Sequence, residues 1–175
     1  MSIRVLLIAF SIVFVVSADN VAGRESSAFD GKSNVRPVFV AVYKDGWAIL
    51  GKYEKAYKVI RDKKTWAEAD AACKSEGAQL ASIMNKEIND FIWDITKSSP
   101  DQVDPESQIW VGGRKVGGSW MWTDGKKWDY VNWASGEPNN ALGKEDCLQI
   151  YAHPKRYGTW NDFFCDRKLD FVCQK

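Results

Sequence analysis

The sequence predicts an α+β fold closed by two disulfides, and three observations predict it. Two stretches of the first half carry helix caps followed by apolar residues at helical spacing. The C-terminal half carries short β-branched and aromatic runs separated by Gly, Asn and Pro. Four cysteines, Cys73, Cys147, Cys165 and Cys173, follow a segment that reads as a secretory signal. An even count in an oxidising compartment reads as two bonds, with three connectivities open.

Residues 1–18 read as a signal peptide. Arg4 supplies the positive end, Val5 to Val16 is an apolar run interrupted only by Ser11, and Val16-Ser17-Ala18 is a small-residue cleavage site. The run falls short of the roughly 20 residues that a membrane span needs, so the expected product is secreted and extracellular. Residues 19–46 read as an N-terminal arm, polar and without period over 19–34, and residues 47–175 as one domain. Apolar runs at Val38–Tyr43 and Tyr57–Ile60 are expected as short strands, the first within the arm.

Thr65-x-x-Glu68 is a capping box. Trp66, Ala69 and Cys73 then share one face of a first helix that Gly77 ends. Asn85 caps a second, in which Ile88, Phe91, Ile92 and Ile95 repeat at helical spacing. Both apolar stripes are narrow, so each helix is expected to pack one side against a sheet. Beyond residue 108 the strand-like pieces are Trp110–Gly113, Trp120–Trp122, Trp128, Trp133, Leu148–Tyr151 and Phe171–Cys173. Between them, 123–146 and 151–163 lack any period, and long loops inside a compact domain are usually functional. The tryptophans are expected as core and loop anchors.

Those loops hold Glu137, Asn139, Glu145, Asn161 and Asp162. Three carboxylates and two carboxamides offer only oxygen to a cation, the chemistry that suits Ca2+ with its 6–8 oxygens at about 2.3–2.6 Å. Positions left open on such an ion accept water or ligand hydroxyls.

Of 24 basic side chains one, Arg4, lies in the signal, and the remainder balance the 23 acidic ones. A near-neutral chain gives no electrostatic case for nucleic acid or for an anionic membrane as partner. Catalysis is not expected either. General acid work needs a carboxyl kept protonated, which metal ligation opposes, and the single histidine, His153, lies in a loop. No sequon occurs, so N-glycosylation is not expected.

Taken together, Trp110-Val111-Gly112-Gly113, Glu137-Pro138-Asn139, Glu145-Asp146-Cys147, Trp160-Asn161-Asp162 and the cysteine frame resemble the C-type lectin domain over about residues 47–175. They stand where that family has its WIGL, EPN, E-D-C and W-N-D motifs. The resemblance implies two helices flanking small antiparallel sheets, with a long calcium-binding loop region. It implies nested bonds, Cys73–Cys173 and Cys147–Cys165, and a cis peptide before Pro138. It also implies one Ca2+ held by Glu137, Asn139, Glu145, Asn161 and Asp162. Glu137, Asn139, Glu145 and Asn161 would then meet two vicinal sugar hydroxyls, carboxylates accepting from each hydroxyl and amides donating to it.

The order Glu-Pro-Asn goes, in that family, with mannose, N-acetylglucosamine and fucose-type ligands, so mannose-type glycans on cell, microbial or glycoprotein surfaces are the expected partners. An auxiliary calcium site is expected to be absent or weak, because Arg114, Lys115 and three glycines stand where further carboxylates would be needed. Lys155, Arg156, Tyr151 and Tyr157 read as a solvated loop first and as a secondary subsite for anionic or extended glycans second. A homo-oligomer would be noncovalent, built through Val35–Tyr43. The alternative function is a module of the same fold that binds protein or ice and ignores sugar.

Overall fold

Asp45 and Gly46 both take positive φ, 52° and 80°, the geometry of a two-residue type I′ hairpin turn. They join β1 (Val42–Lys44) to β2 (Trp47–Leu50), with Lys44 opposite Trp47. The computed structural model describes residues 42–97 and 107–175. The signal segment and residues 19–41 of the arm lie outside the described residues, as does most of the Val35–Tyr43 run expected to mediate association. Among the described residues the sheet includes Val42–Lys44, within the segment read as the arm. Asp-Gly between apolar runs was the signal for it.

β3 (Lys55–Lys64) runs antiparallel to β2 and to β9 (Leu169–Gln174), with Val59 opposite Val172. Helix α1 (Trp66–Ser75) starts at the capping box. Thr65 Oγ1 accepts from the Glu68 N–H at 3.3 Å, and Glu68 Oε2 accepts from the Thr65 N–H at 2.9 Å. Trp66, Ala69 and Cys73 are its buried residues, and the Trp66 indole donates to the Val111 carbonyl at 2.9 Å. The short β4 (Gln79–Leu80) pairs with β9.

Helix α2 (Lys86–Thr96) is capped by Asn85, whose Oδ1 accepts from the Ile88 N–H at 2.9 Å. Its buried face is wider than a narrow stripe: Asn89, Trp93 and Thr96 are covered as well as Ile88, Phe91 and Ile92. The 152–159 loop supplies part of the cover. The ring of Tyr157 stacks on Trp93 at 4.2 Å, and a Cβ on Gly158 would meet the Trp93 Cβ at 2.9 Å.

β5 (Gln108–Val116), β6 (Ser119–Trp122), β7 (Glu145–Tyr151) and β8 (Trp160–Phe164) complete the sheet. The hydrogen-bonded path runs β1-β2-β3-β9-β5-β7-β8, with β4 added on β9 and β6 on β5. Among the described strands, pairing is antiparallel except where β5 runs parallel to β9. β8 overlaps the 151–163 stretch that lacks any period in the sequence. Trp128 and Trp133 are not strands; Trp133 makes an isolated bridge to Trp160.

Close packing explains the glycines of β5. A Cβ on Gly112 would lie 2.7 Å from the Leu80 carbonyl oxygen, and one on Gly113 would lie 2.6 Å from Leu148 Cδ2. The Cys73–Cys173 bond ties α1 to β9, and Cys147–Cys165 ties β7 to the residue after β8. The first closes a separation of 100 residues, which the chain-entropy account values at about 5 kcal/mol. Among the described residues no helix is long and apolar enough to cross a membrane.

Candidate functional site

Trp160 fixes the start of β8. It is fully buried, and its indole donates to Asn89 Oδ1 at 2.8 Å. The rings of Trp122, Trp128, Tyr130 and Trp133 meet it edge-on, with centroids 5.6–5.8 Å away, a favoured aromatic geometry. The main chain closes the same knot. The Trp160 N–H donates to the Asn132 carbonyl, and the Ala134 N–H donates to the Trp160 carbonyl, both at 2.8 Å. One stem of the 123–144 loop is thereby held beside Asn161 and Asp162.

From that stem the chain enters Gly136 and then the Glu137-Pro138 bond, which is cis. The next three N–H groups point into carboxylates. Asn139 donates to Asp162 Oδ1 at 3.0 Å and to Glu137 Oε2 at 3.1 Å. Asn140 donates to Asp162 Oδ2 at 2.9 Å, and Ala141 to Glu145 Oε2 at 2.7 Å. Asn140 Oδ1 in turn accepts from the Glu145 N–H at 3.2 Å. Asp162 is wholly buried and Glu145 nearly so.

Two of the three acids, Glu137 and Glu145, are raised. Burial is the main cause that raises the Glu137 carboxyl above its ordinary range, and the charges of Asp162 and Glu145 add to it. Burial likewise raises Glu145, opposed by the Ala141 N–H and aided by Asp162. Negative charge confined in this way favours uptake of a proton or a cation.

Sequence pointed to five residues, and the structure joins four of them. Glu137, Glu145 and Asp162 enter through their carboxylates, and Asn139 through its main-chain N–H. Asn161 stands apart from that hydrogen-bonded set. It lies opposite Gln149 on the β7–β8 ladder, with Oδ1 buried and unpartnered. Gln149 is also buried with neither side-chain atom bonded.

The residues fit a hard cation by donor chemistry: all offer oxygen, the charge of Asp162 helps raise the Glu137 and Glu145 carboxyls, and a buried amide oxygen lacks a partner. Among the described residues, though, no three acidic or histidine side chains already stand as a closed metal cage. Sequence reasoning missed the main chain of Asn140 and Ala141, whose N–H groups order the carboxylates and leave no side-chain signature.

The 152–159 loop packs on itself and on α2. Arg156 lies 4.3 Å over the Tyr151 ring, and the His153 Nδ1 accepts from the Lys155 N–H at 3.1 Å. Arg156 and Tyr151 meet within the loop, and Tyr157 stacks on Trp93 of α2.

The profile described as Lectin C-type domain matches residues 62–175. This chain belongs to the C-type lectin domain family. It is 37% identical over 127 residues to a lectin of Pleurodeles waltl, covering 70% of each chain. It is 38% identical over 125 residues to E-selectin of Oryctolagus cuniculus, covering 67% of this chain but only 21% of the selectin. Its fold is similar to the cow C-type carbohydrate-recognition domain of CD23 crystallised in the presence of a GlcNAc2Man3 oligosaccharide. The TM-score is 0.63 with 29% identity, covering 77% of this chain and 96% of that one. It is equally similar, at TM-score 0.63 and 32% identity, to a calcium-independent type II antifreeze protein, covering 78% and 96%.

Proposed function

We propose that this chain is a secreted, calcium-dependent lectin that binds mannose-type saccharides, including N-acetylglucosamine and fucose, on cell, microbial or glycoprotein surfaces. In this reading residues 1–18 are a signal peptide, residues 19–46 an N-terminal extension with its last strand in the sheet, and residues 47–175 the binding domain. The observation that carries it is the gathering of Glu137, Glu145 and Asp162 around the Asn139–Ala141 turn, with Glu137 and Glu145 held above their ordinary range.

Glu137, Asn139, Glu145, Asn161 and Asp162 would hold the ion. Bound calcium supplies oxygen-coordination sites for two neighbouring sugar hydroxyls. Around it, carboxylates of Glu137 and Glu145 accept the hydroxyl protons, and carboxamides of Asn139 and Asn161 donate. This is binding without bond cleavage. A single shallow site of this kind corresponds to weak, near-millimolar affinity, about −4 kcal/mol. Noncovalent association of several copies would raise avidity.

Retention on mannose-agarose in calcium, with release by chelator, tests the reading. The second reading, a calcium-independent module that binds protein or ice, draws support from carboxylates already satisfied by main-chain N–H groups and from the likeness to an antifreeze protein. It predicts no retention and no calcium uptake.

A further inference from the structure

Gln149 is wholly buried, and neither Oε1 nor Nε2 of its side chain has a hydrogen-bond partner among the described residues. Buried carboxamides are nearly always bonded, and one that is not calls for a reason. An unbonded amide is costly to bury. Its neighbours on β7, Leu148 and Ile150, lie in the apolar core.

The register of β7 and β8 supplies a reason. Side chains alternate along a strand, so Trp160 and Asp162 share one face of β8 and Asn161 takes the other. Asp162 stands opposite Leu148, and Asn161 opposite Gln149. The Cβ atoms of such a pair lie about 4.5–5.5 Å apart, within reach of a bond between two carboxamides. Asn161 is itself 7% exposed, with Oδ1 unpartnered. Unbonded buried atoms also occur on Asp70, Trp93, Trp122 and Thr123. Among the described residues, though, Gln149 and Asn161 are the one cross-strand pair in which both members carry them. On the other side of Gln149 stands Trp110, whose indole N–H is already given to the Lys64 carbonyl.

We propose that Gln149 is a positioning residue of the cation site: its Oε1 accepts from Asn161 Nδ2 and so holds the Asn161 carboxamide with its oxygen free for the ion. The inference rests on the calcium-dependent reading above. Ligation of an amide oxygen polarises the amide and makes its N–H a stronger donor, so the two contacts reinforce each other. An amide NH2 carries two hydrogens, and the second stays available to a sugar hydroxyl. Residues behind a metal ligand act in this way by fixing its orientation. In the metal-free protein the unbonded Gln149 amide is a net cost. Its removal should therefore help the empty fold and harm the loaded one, a pair of opposite signs that loss of packing would not produce.

The test compares the wild type with Gln149→Leu and Gln149→Glu, using calcium alone. Leu fills a similar volume without polar atoms, and Glu keeps the acceptor oxygen. Calorimetric titration should show calcium affinity about tenfold weaker in Gln149→Leu, while its Tm in EDTA equals or exceeds that of the wild type. Gln149→Glu should bind calcium as tightly as the wild type, to within about twofold, or more tightly. In NMR spectra of the nitrogen-labelled wild type, calcium should move one Asn161 side-chain NH2 proton to low field, and that shift should be missing from Gln149→Leu.

Unchanged calcium affinity in Gln149→Leu overturns the proposal. So does a Tm in EDTA that falls together with calcium affinity, or a Gln149→Leu chain that fails to fold, since either makes Gln149 part of the packing. Wild-type protein that takes up no calcium defeats the calcium-dependent reading itself, and that failure is seen before any variant is made.

Discussion

The Asp162 carboxylate accepts the main-chain N–H of Asn139 at 3.0 Å, so strand β8 and the Glu137-Pro138-Asn139 loop meet at one buried acid. Its other oxygen accepts from Asn140 at 2.9 Å. Hydrogen bonds to a charged group contribute about 1.5–3 kcal/mol each, and removing one partner leaves the other unsatisfied. Asp162→Ala is therefore predicted to lose about 2–4 kcal/mol of stability even in chelator. Urea unfolding in EDTA checks this. A variant as stable as the wild type would mean that the loop is ordered without Asp162.

Asn89 and Trp160 make the second prediction. Their bond is buried and spans 71 residues of sequence. Asn89→Ala leaves the indole N–H unpaired in the core, which should cost about 1–3 kcal/mol. Because Trp160 precedes Asn161 and Asp162, calcium affinity should fall with it. A destabilised variant with unchanged calcium affinity would separate the aromatic anchor from the site.

Acid sensitivity is predicted at Asp124, whose side chain is 4% exposed. Burial would raise its carboxyl, but the Lys126 N–H, the Ser82 hydroxyl and the Lys126 ammonium outweigh burial and hold it below the ordinary range. Gln174 also donates to it at 3.0 Å. With the folded value depressed, this stabilisation is fully present above the unfolded value near 3.9 and is lost as pH falls through the folded value. Asp124→Asn should be less stable at pH 6, with a shallower decline between pH 5 and 3. Denaturant midpoints in EDTA across that range measure it, and parallel declines for the two proteins would contradict it.

Glu137 and Asn139 set the direction of the proposed hydrogen bonds to sugar. Exchanging acid and amide, Glu137→Gln with Asn139→Asp, reverses donor and acceptor at the hydroxyls. Competition binding should then show preference moving from mannose toward galactose. Unchanged mannose selectivity in the double variant would count against that role for the pair.

Both helices were legible because their signals are local. The Thr65–Glu68 box and the Asn85 cap lie within one turn of the residues they serve, and Ile88, Phe91 and Ile92 repeat at the helical period. The second face of α2 was not, since Asn89 and Trp93 are covered by residues about 60–70 positions later, which no period records. β1 hid in an apolar run assigned to the arm. β8 hid because Asn161 and Asp162 are polar inside a buried strand. At the site, the acids were visible by type and order. The N–H groups of Asn139, Asn140 and Ala141 were invisible, because every residue has one. Asn161 is expected as a calcium and sugar ligand from its place in Trp160-Asn161-Asp162; it lies opposite Gln149 on the β7–β8 ladder with its Oδ1 unpaired.

Calorimetric titration of calcium into the purified, metal-stripped domain, followed by methyl α-mannoside in calcium and again in EDTA, tests the account most directly. The account predicts saturable calcium uptake that fails in an Asp162→Ala variant, and mannoside binding only when the ion is present. No calcium uptake by the wild type, or mannoside bound equally well in EDTA, would contradict it.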